Sequence, residues 1–223
     1  MKIAASLPLE TAGLFDHIAE VNLLLDDTRA SLIACDKAIN IKSRELGKNH
    51  LYKSYSLFLR AKVQEANQTY DFAVEDLEEG LKIQLLRLRQ REIDFAQVAR
   101  KADNIVQNKV QQFSVITEES EYEKEMNDMV KAYYDVSKTY QSIARLQRMN
   151  GKFRKSLAAS KSELKYLELY LGENNIEHAF VIEKIGLAEF KLLNFDQALV
   201  AFEKVLKLRK LKFGHNHIAI GMF

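Results

Sequence analysis

A small residue recurs along this chain at nearly constant spacing. Ala19, Ala61, Ala102, Ala144 and Gly186 stand 42, 41, 42 and 42 residues apart. Bulky apolar residues flank them at helical spacing: Phe15 and Ile18, Leu57, Val98, Tyr140 and Ile143, Ile182 and Ile185. A helix reaches the short end of the ~8–10 Å interaxial range only where the facing side chains are small. Small knobs among large neighbours, repeated at a fixed period, are what a stack of equivalent helical hairpins requires. Each hairpin then buries its apolar face only against its neighbours.

Other features keep the same register. The glycine junctions LGENN (Leu171–Asn175) and FGHNH (Phe213–His217) lie 42 residues apart, and LGKNH puts Gly47 another 125 upstream. Segments opening at Tyr70, Phe153 and Phe195 overlay one another, and each reads as an amphipathic helix. A helix from Ala179 to Leu193 must fold back on the next one through a short turn at Asn194. The only proline is Pro8, so long helices are the default expectation. The expected architecture is all-α, a single array over 1–223 of about five antiparallel helix hairpins. Its units start near 12, 54, 95, 137 and 179, and a truncated sixth starts from about 215. The third unit is expected to be degenerate, because Glu118 and Glu121 fall at core positions.

The register resembles the tetratricopeptide repeat in its 42-residue, kinesin-light-chain-like form. Counting each unit from those starts, the family expects apolar residues at positions four and seven. It expects small residues at eight, twenty and twenty-seven, and a large apolar residue at twenty-four. The last unit supplies Ile182, Ile185, Gly186, Ala198, Phe202 and Val205; the second supplies Leu57, Ala61, Ala73, Leu77 and Gly80, with Arg60 the exception. The first supplies Phe15, Ile18, Ala19, Ser31, Cys35 and Ala38. The fourth is weaker in its second helix, with Ser156, Ser160 and Glu163, and the third matches only at Val98, Ala102 and Ile105. The resemblance implies a right-handed superhelical solenoid whose concave face is lined by the first helix of each hairpin.

Carried over position by position, that face comprises Asp16 and Glu20 in unit one and Tyr55, Phe58, Lys62 and Glu65 in unit two. Unit four contributes Lys138, Gln141, Arg145 and Arg148; unit five contributes Phe180, Glu183, Leu187, Phe190 and Lys191. The phenylalanines are candidate anchors for a bound peptide or candidate packing residues. Kinesin light chains hold cargo backbone with asparagines at positions five and six. This chain has Asp16 and His17, Phe58 and Leu59, Ala99 and Arg100, Gln141 and Ser142, and Glu183 and Lys184 there. The family's familiar ligands therefore do not follow from its fold.

Chemistry finds little support. There is no glycine-rich phosphate loop, no H-E-x-x-H and no serine elbow. Glu118, Glu119, Glu121, Glu123 and Glu125 read as a solvated face. His50, His178, His215 and His217 read as junction residues, since no cysteine or acidic ligands stand at zinc spacing. Cys35, the lone cysteine, reads as an apolar filler. The chain is expected to be no enzyme and to use no cofactor and no metal. A formal charge of +2 is too balanced to point to nucleic acid. Between Ser142 and Ser162, however, Arg145, Arg148, Lys152, Arg154, Lys155 and Lys161 stand without an acid, and Lys204, Lys207, Arg209, Lys210 and Lys212 cluster later. Such a face would either be solvated or draw acidic peptide segments. No run approaches the ~20 apolar residues that cross a bilayer, and a lone thiol with no leader-like N-terminus makes a cytoplasmic setting the expectation. The expected function is a protein–protein interaction scaffold taking peptides or helices in its groove. The alternative is an accessory or regulatory repeat domain of a longer enzyme or motor complex. Self-association through the C-terminal end is a further expectation.

Overall fold

A computed structural model describes residues 2–108, 112–172 and 175–214, with side chains over 7–100 and, within those ranges, from 122 onward. His215, His217 and the start of a sixth unit lie outside the described residues, as do the side chains of Ala102, Ile105 and Glu118–Glu121. The described residues form eight helices: α1 Lys2–Leu24, α2 Thr28–Leu46, α3 Leu51–Ala66, α4 Tyr70–Asn108, α5 Gln112–Met149, α6 Phe153–Leu171, α7 Glu177–Lys191 and α8 Phe195–Phe213. Each packs on its chain neighbours, as consecutive hairpins must. The surface, 14536 Å², exceeds the roughly 10,400 Å² that a compact monomer of this mass exposes. The molecule is an elongated stack.

Two turn types, each set by local chemistry, build it. Within hairpins the turn is a Schellman motif. Asp27, Thr69, Lys152 and Asn194 donate their N–H to Asn22, Gln64, Gln147 and Glu189 carbonyls at 2.8–2.9 Å. The residue before each, Asp26, Gln68, Gly151 and Leu193, takes a positive φ of 60–72°. Second helices end at Gly47, Gly172 or Gly214, with φ of 75–86° and ψ of 164–176°. That backbone region is open essentially only to glycine.

The small residues do what their spacing demands. Ala19, Ala61 and Ala144 are buried, and so are their cross-hairpin partners Ser31, Ala73 and Ser156. The two serines donate equivalent bonds, Ser31 Oγ to Ala19 O at 2.7 Å and Ser156 Oγ to Ala144 O at 2.8 Å. Such short spans suit only helices in close approach. In the last hairpin a Cβ on Gly186 would stand 2.7 Å from Phe202 Cε1; in the second, a Cβ on Gly80 would stand 2.2 Å from Phe58 Cε1. Glycine and ring change helices between these two hairpins, but the knob and its socket remain.

The third unit departs from the stack. Its second helix is described from Gln112 onward. No glycine stands where the second helices of units two and three should stop; Arg89 and Val130 occupy those places. Without a stop signal α4 and α5 run straight through. They pair antiparallel along their length, through Asn150–Asp71, Thr139–Gln84, Tyr133–Glu92, Arg91–Asp128 and Phe95–Tyr122. Their inner halves belong to the stack, where Ala73, Val74, Leu77, Leu81, Val136, Ile143, Ala144 and Leu146 share one core. Arg91, Glu92 and Phe95 of α4 reach across to α5, and between Arg91 and Arg100 only Val98 is buried. The outer halves therefore form an arm, and α5 docks directly on the second hairpin. Four hairpins stack: α1/α2, α3 with inner α4, inner α5 with α6, and α7/α8.

Gly80→Ala gains about 1 kcal/mol of helix propensity, but overpacking against Phe58 costs ~1–3 kcal/mol. Urea unfolding should show a net loss, relieved in a Phe58→Leu background. Replacing residues 93–127 by a turn of about five residues, enough to join antiparallel helices, should leave a cooperative transition within a few degrees of the parent. Loss of cooperativity in thermal melts would show that the arm is part of the core.

Candidate binding groove

The departure of the third unit brings first helices from non-consecutive units together. α3 contributes Tyr55, Phe58 and Lys62, and α5 contributes Lys138 and Arg145, to one cleft of about 380 Å³. Leu77 and Gln84 of α4 form its floor, and Glu65, Asp135 and Thr139 complete its sides. A second cleft, about 320 Å³, opens between α5, α6 and α7. Lys138 borders both, with Gln141, Phe180, Tyr134 and Tyr170 lining the second. The remaining groove candidates lie along the array. Arg148 is exposed at the end of α5. Glu183 pairs with Arg209 of α8 at 2.6 Å. Leu187, Phe190 and Lys191 are exposed on α7, with the Phe190 ring edge-on to Phe195 at 5.6 Å.

Within the first cleft, Phe58 is a partly buried packing residue, held by the core and the gap at Gly80. Tyr55 is half exposed and donates its hydroxyl to Glu20 Oε1 at 2.6 Å. That bond, with burial second, raises the Tyr55 phenol to about 12. The same bond lowers the Glu20 carboxyl. Glu20 thus borders the groove, whereas Asp16, on the same helix, does not. Asp16 is buried, ion-paired with Lys42 of α2, and accepts from Ser56 Oγ of α3 at 2.7 Å. Lys42 also donates to Ser56 Oγ at 2.9 Å. This buried triad ties three helices, and breaking such a pair costs ~3–5 kcal/mol because it strands a buried charge.

Charged residues that misfit the apolar repeat pattern make similar links. Arg60 forks onto Asp76 at 2.8 and 2.5 Å and reaches Asp36 at 2.6 Å. Glu163, buried, accepts from Gln141 Nε2 at 2.9 Å and lies 3.6 Å from Lys184 Nζ. Burial raises the Glu163 carboxyl and lowers the Lys184 ammonium. Lys184 also sits 4.2 Å from the Phe180 ring centroid.

The run of cations after Ser142 is less basic in three dimensions than in sequence. Arg145 forks onto Glu65 of α3, with one bond of 2.7 Å. Lys152 meets Asp71 at 2.5 Å and Lys161 meets Glu189 at 3.0 Å. Each acid arrives from another helix. Lys62 and Lys138 keep their charge exposed and enter no salt bridge among the described residues, although Lys138 lies 5.1 Å from the Tyr134 ring centroid.

His50, His178 and Cys35 take structural places. His50 caps α3 by accepting from Tyr52 N–H at 3.2 Å. His178 is buried in α7, and burial lowers its pKa. Cys35 is wholly buried, and desolvation raises its thiol to about 12, leaving it protonated at neutral pH.

No family model matches the sequence, and no curated protein sequence matches it. Several solved structures are similar to it. The nearly identical TPR-like repeats of a Podosopora anserina protein of kinesin-light-chain type share 15% identity, cover 93% of this chain and 99% of their own, and give a TM-score of 0.40. BtubC from P. vanneervenii shares 14% over 96% of this chain and 92% of its own, at 0.35. MamA from Desulfovibrio magneticus RS-1 shares 16% over 91% and 97%, at 0.30. Likenesses at this level say nothing of activity or partners. The stacked-hairpin fold stands on its own repeated turns and knobs.

Arg145 holds the Glu65 carboxyl below the ordinary glutamate range through their hydrogen bonds. A depressed carboxylate stabilises the fold above its unfolded pKa and loses that contribution as pH falls through the folded value. A double-mutant cycle of Glu65→Ala and Arg145→Ala should therefore give a coupling of about 1 kcal/mol at pH 7 for this partly exposed, forked pair. Repeated toward pH 2–3, the coupling should vanish; a value independent of pH would contradict the pairing.

Proposed function

We infer that this array is a protein-binding scaffold, not an enzyme, and that it takes a peptide or helical segment across the cleft between α3 and α5. The observation that carries the reading is the pairing of exposed Lys62 and Lys138 across apolar ground formed by Phe58, Ala61, Leu77 and Leu146. Preformed sites combine a mainly apolar lining with a few placed polar groups. With Arg145 paired to Glu65, Lys62 and Lys138 outnumber Asp135 among the charges left in the cleft. A segment with an apolar anchor flanked by acidic residues fits both features. Its acids would meet the lysines at the rim, where charge acts on association rate and salt dependence more than on affinity.

The second cleft continues the same track, since Lys138 borders both and Tyr134, Tyr170 and Phe180 offer further apolar surface. A segment lying over α3, α5 and α7 would use the exposed ends of three first helices. No helix among the described residues is long and apolar enough to cross a membrane. A buried, reduced Cys35 accords with a cytoplasmic setting.

Binding should be measured by screening a peptide library against the intact chain and against Lys62→Glu/Lys138→Glu. Neither lysine supports the core, so the variant should melt like the parent. Selected acidic-apolar peptides should lose ~10-fold or more in affinity, equivalent to at least 1.4 kcal/mol. Raising salt should weaken the parent's binding but not the variant's residual binding. Peptides selected with no acidic bias, or binding the charge-reversed variant equally, would sink the reading.

A further inference from the structure

α1 is apolar on two faces. Its inner face carries fully buried Ala12 and Ala19, with Phe15 and Asp16 set against α2 and α3. Along its outer face, Leu7, Thr11, Leu14, Ile18 and Val21, continued by Leu25 in the turn that follows, stand at intervals of four, three, four, three and four residues. That is the heptad alternation of a coiled-coil seam. All six are exposed; Leu7, Leu14, Ile18, Val21 and Leu25 show 65, 62, 47, 54 and 71% of their surface, and Leu24 beside them shows 86%. A contiguous exposed apolar stripe marks an interaction surface.

The area suits a second protein surface. At ~150–200 Å² for each fully exposed residue, a little under what an aromatic buries, these residues offer roughly 600–750 Å². A standard specific interface takes about 800 Å² from each partner. The seam also matches itself. A two-fold axis near residue 16 sets Leu7 against Leu25, Thr11 against Val21 and Leu14 against Ile18, so no seam position meets a charge. Antiparallel pairing further separates like charges. Parallel helices would bring Glu10 beside Glu10 and crowd Asp26 and Asp27 of both copies at one end, whereas antiparallel helices send these carboxylates to opposite ends.

We propose that the outer seam of α1 pairs antiparallel with the same seam of a second copy, making an isologous dimer. The surface is distinct from the α3–α5 cleft, so the dimer presents two grooves. It also differs from self-association through the C-terminal end.

The full chain should be examined by analytical ultracentrifugation at up to about 100 μM, where a micromolar Kd gives mostly dimer. The parent should sediment at twice 25.7 kDa. Leu14→Glu/Ile18→Glu should sediment as a monomer with unchanged circular dichroism. Val21→Glu, a milder second variant, should weaken the dimer ~10-fold or more. Mixing a Leu14→Cys chain with an Ile18→Cys chain should give disulfide-linked heterodimers in preference to 14–14 links. A parent that stays monomeric, a dimer untouched by either variant, or dominant 14–14 links would overturn the proposal.

Discussion

A glycine at the end of a second helix decides whether the next hairpin stacks or flies outward. At Gly47 and Gly172 the chain enters a φ/ψ region that side chains forbid, and the following helix turns back onto the stack. At Arg89 and Val130, in equivalent register, the helical hydrogen-bond ladder has no reason to stop, and it does not. Propagating a helix adds a bond per residue, whereas ending one leaves carbonyls to be satisfied. The default is continuation. Two missing glycines therefore convert a fifth stacked hairpin into an arm.

Much of this was legible beforehand, and the part that was not has a physical cause. The 42-residue spacing of Ala19, Ala61, Ala144 and Gly186 located the close contacts, and the segments at Tyr70, Phe153 and Phe195 located helix starts. Spacing, however, records where side chains would meet if the backbone turned; it does not record whether it turns. The stop signals do. Between Gly80 and Gly151 there is neither glycine nor proline, the plainest sign that α4 and α5 would run long. The motifs at Asp26, Gln68 and Leu193 were less readable, because a non-glycine residue in the left-handed region is held there by its hairpin and not by its own preference.

Charge was the least legible property. Repeat register treats Arg60 and Glu163 as blemishes in an apolar pattern, and local composition treats Arg145, Lys152 and Lys161 as an unopposed basic run. Folding supplies the opposing acids from remote positions: Asp76 and Asp36, Glu65, Asp71, and Glu189. Pairs between helices 16 to 81 residues apart in sequence leave no mark on a linear window. Asp16 shows the opposite error. Its register position suggests a groove-facing acid, but Lys42 and Ser56 draw it inward. A buried ion pair stabilises little by itself, and yet a mismatched stacking would strand its charges. The triad thus favours one docking of the second hairpin on the first.

The arm and the groove are consequences of one event. With a stop at position 89, a third hairpin would separate α3 from inner α5, and Lys62 and Lys138 would lie a full unit further apart. Without it, α5 returns alongside α4 and docks where the next first helix belongs, so Tyr55 and Lys62 face Lys138 and Arg145 across one floor. The Glu65–Arg145 fork closes that junction from the groove side, while Ala61, Leu77 and Leu146 close it from the core. The cleft and the arm are for this reason not independent. A glycine restored near residue 89 would redirect α4, and it would dismantle the candidate site without touching one residue that lines it.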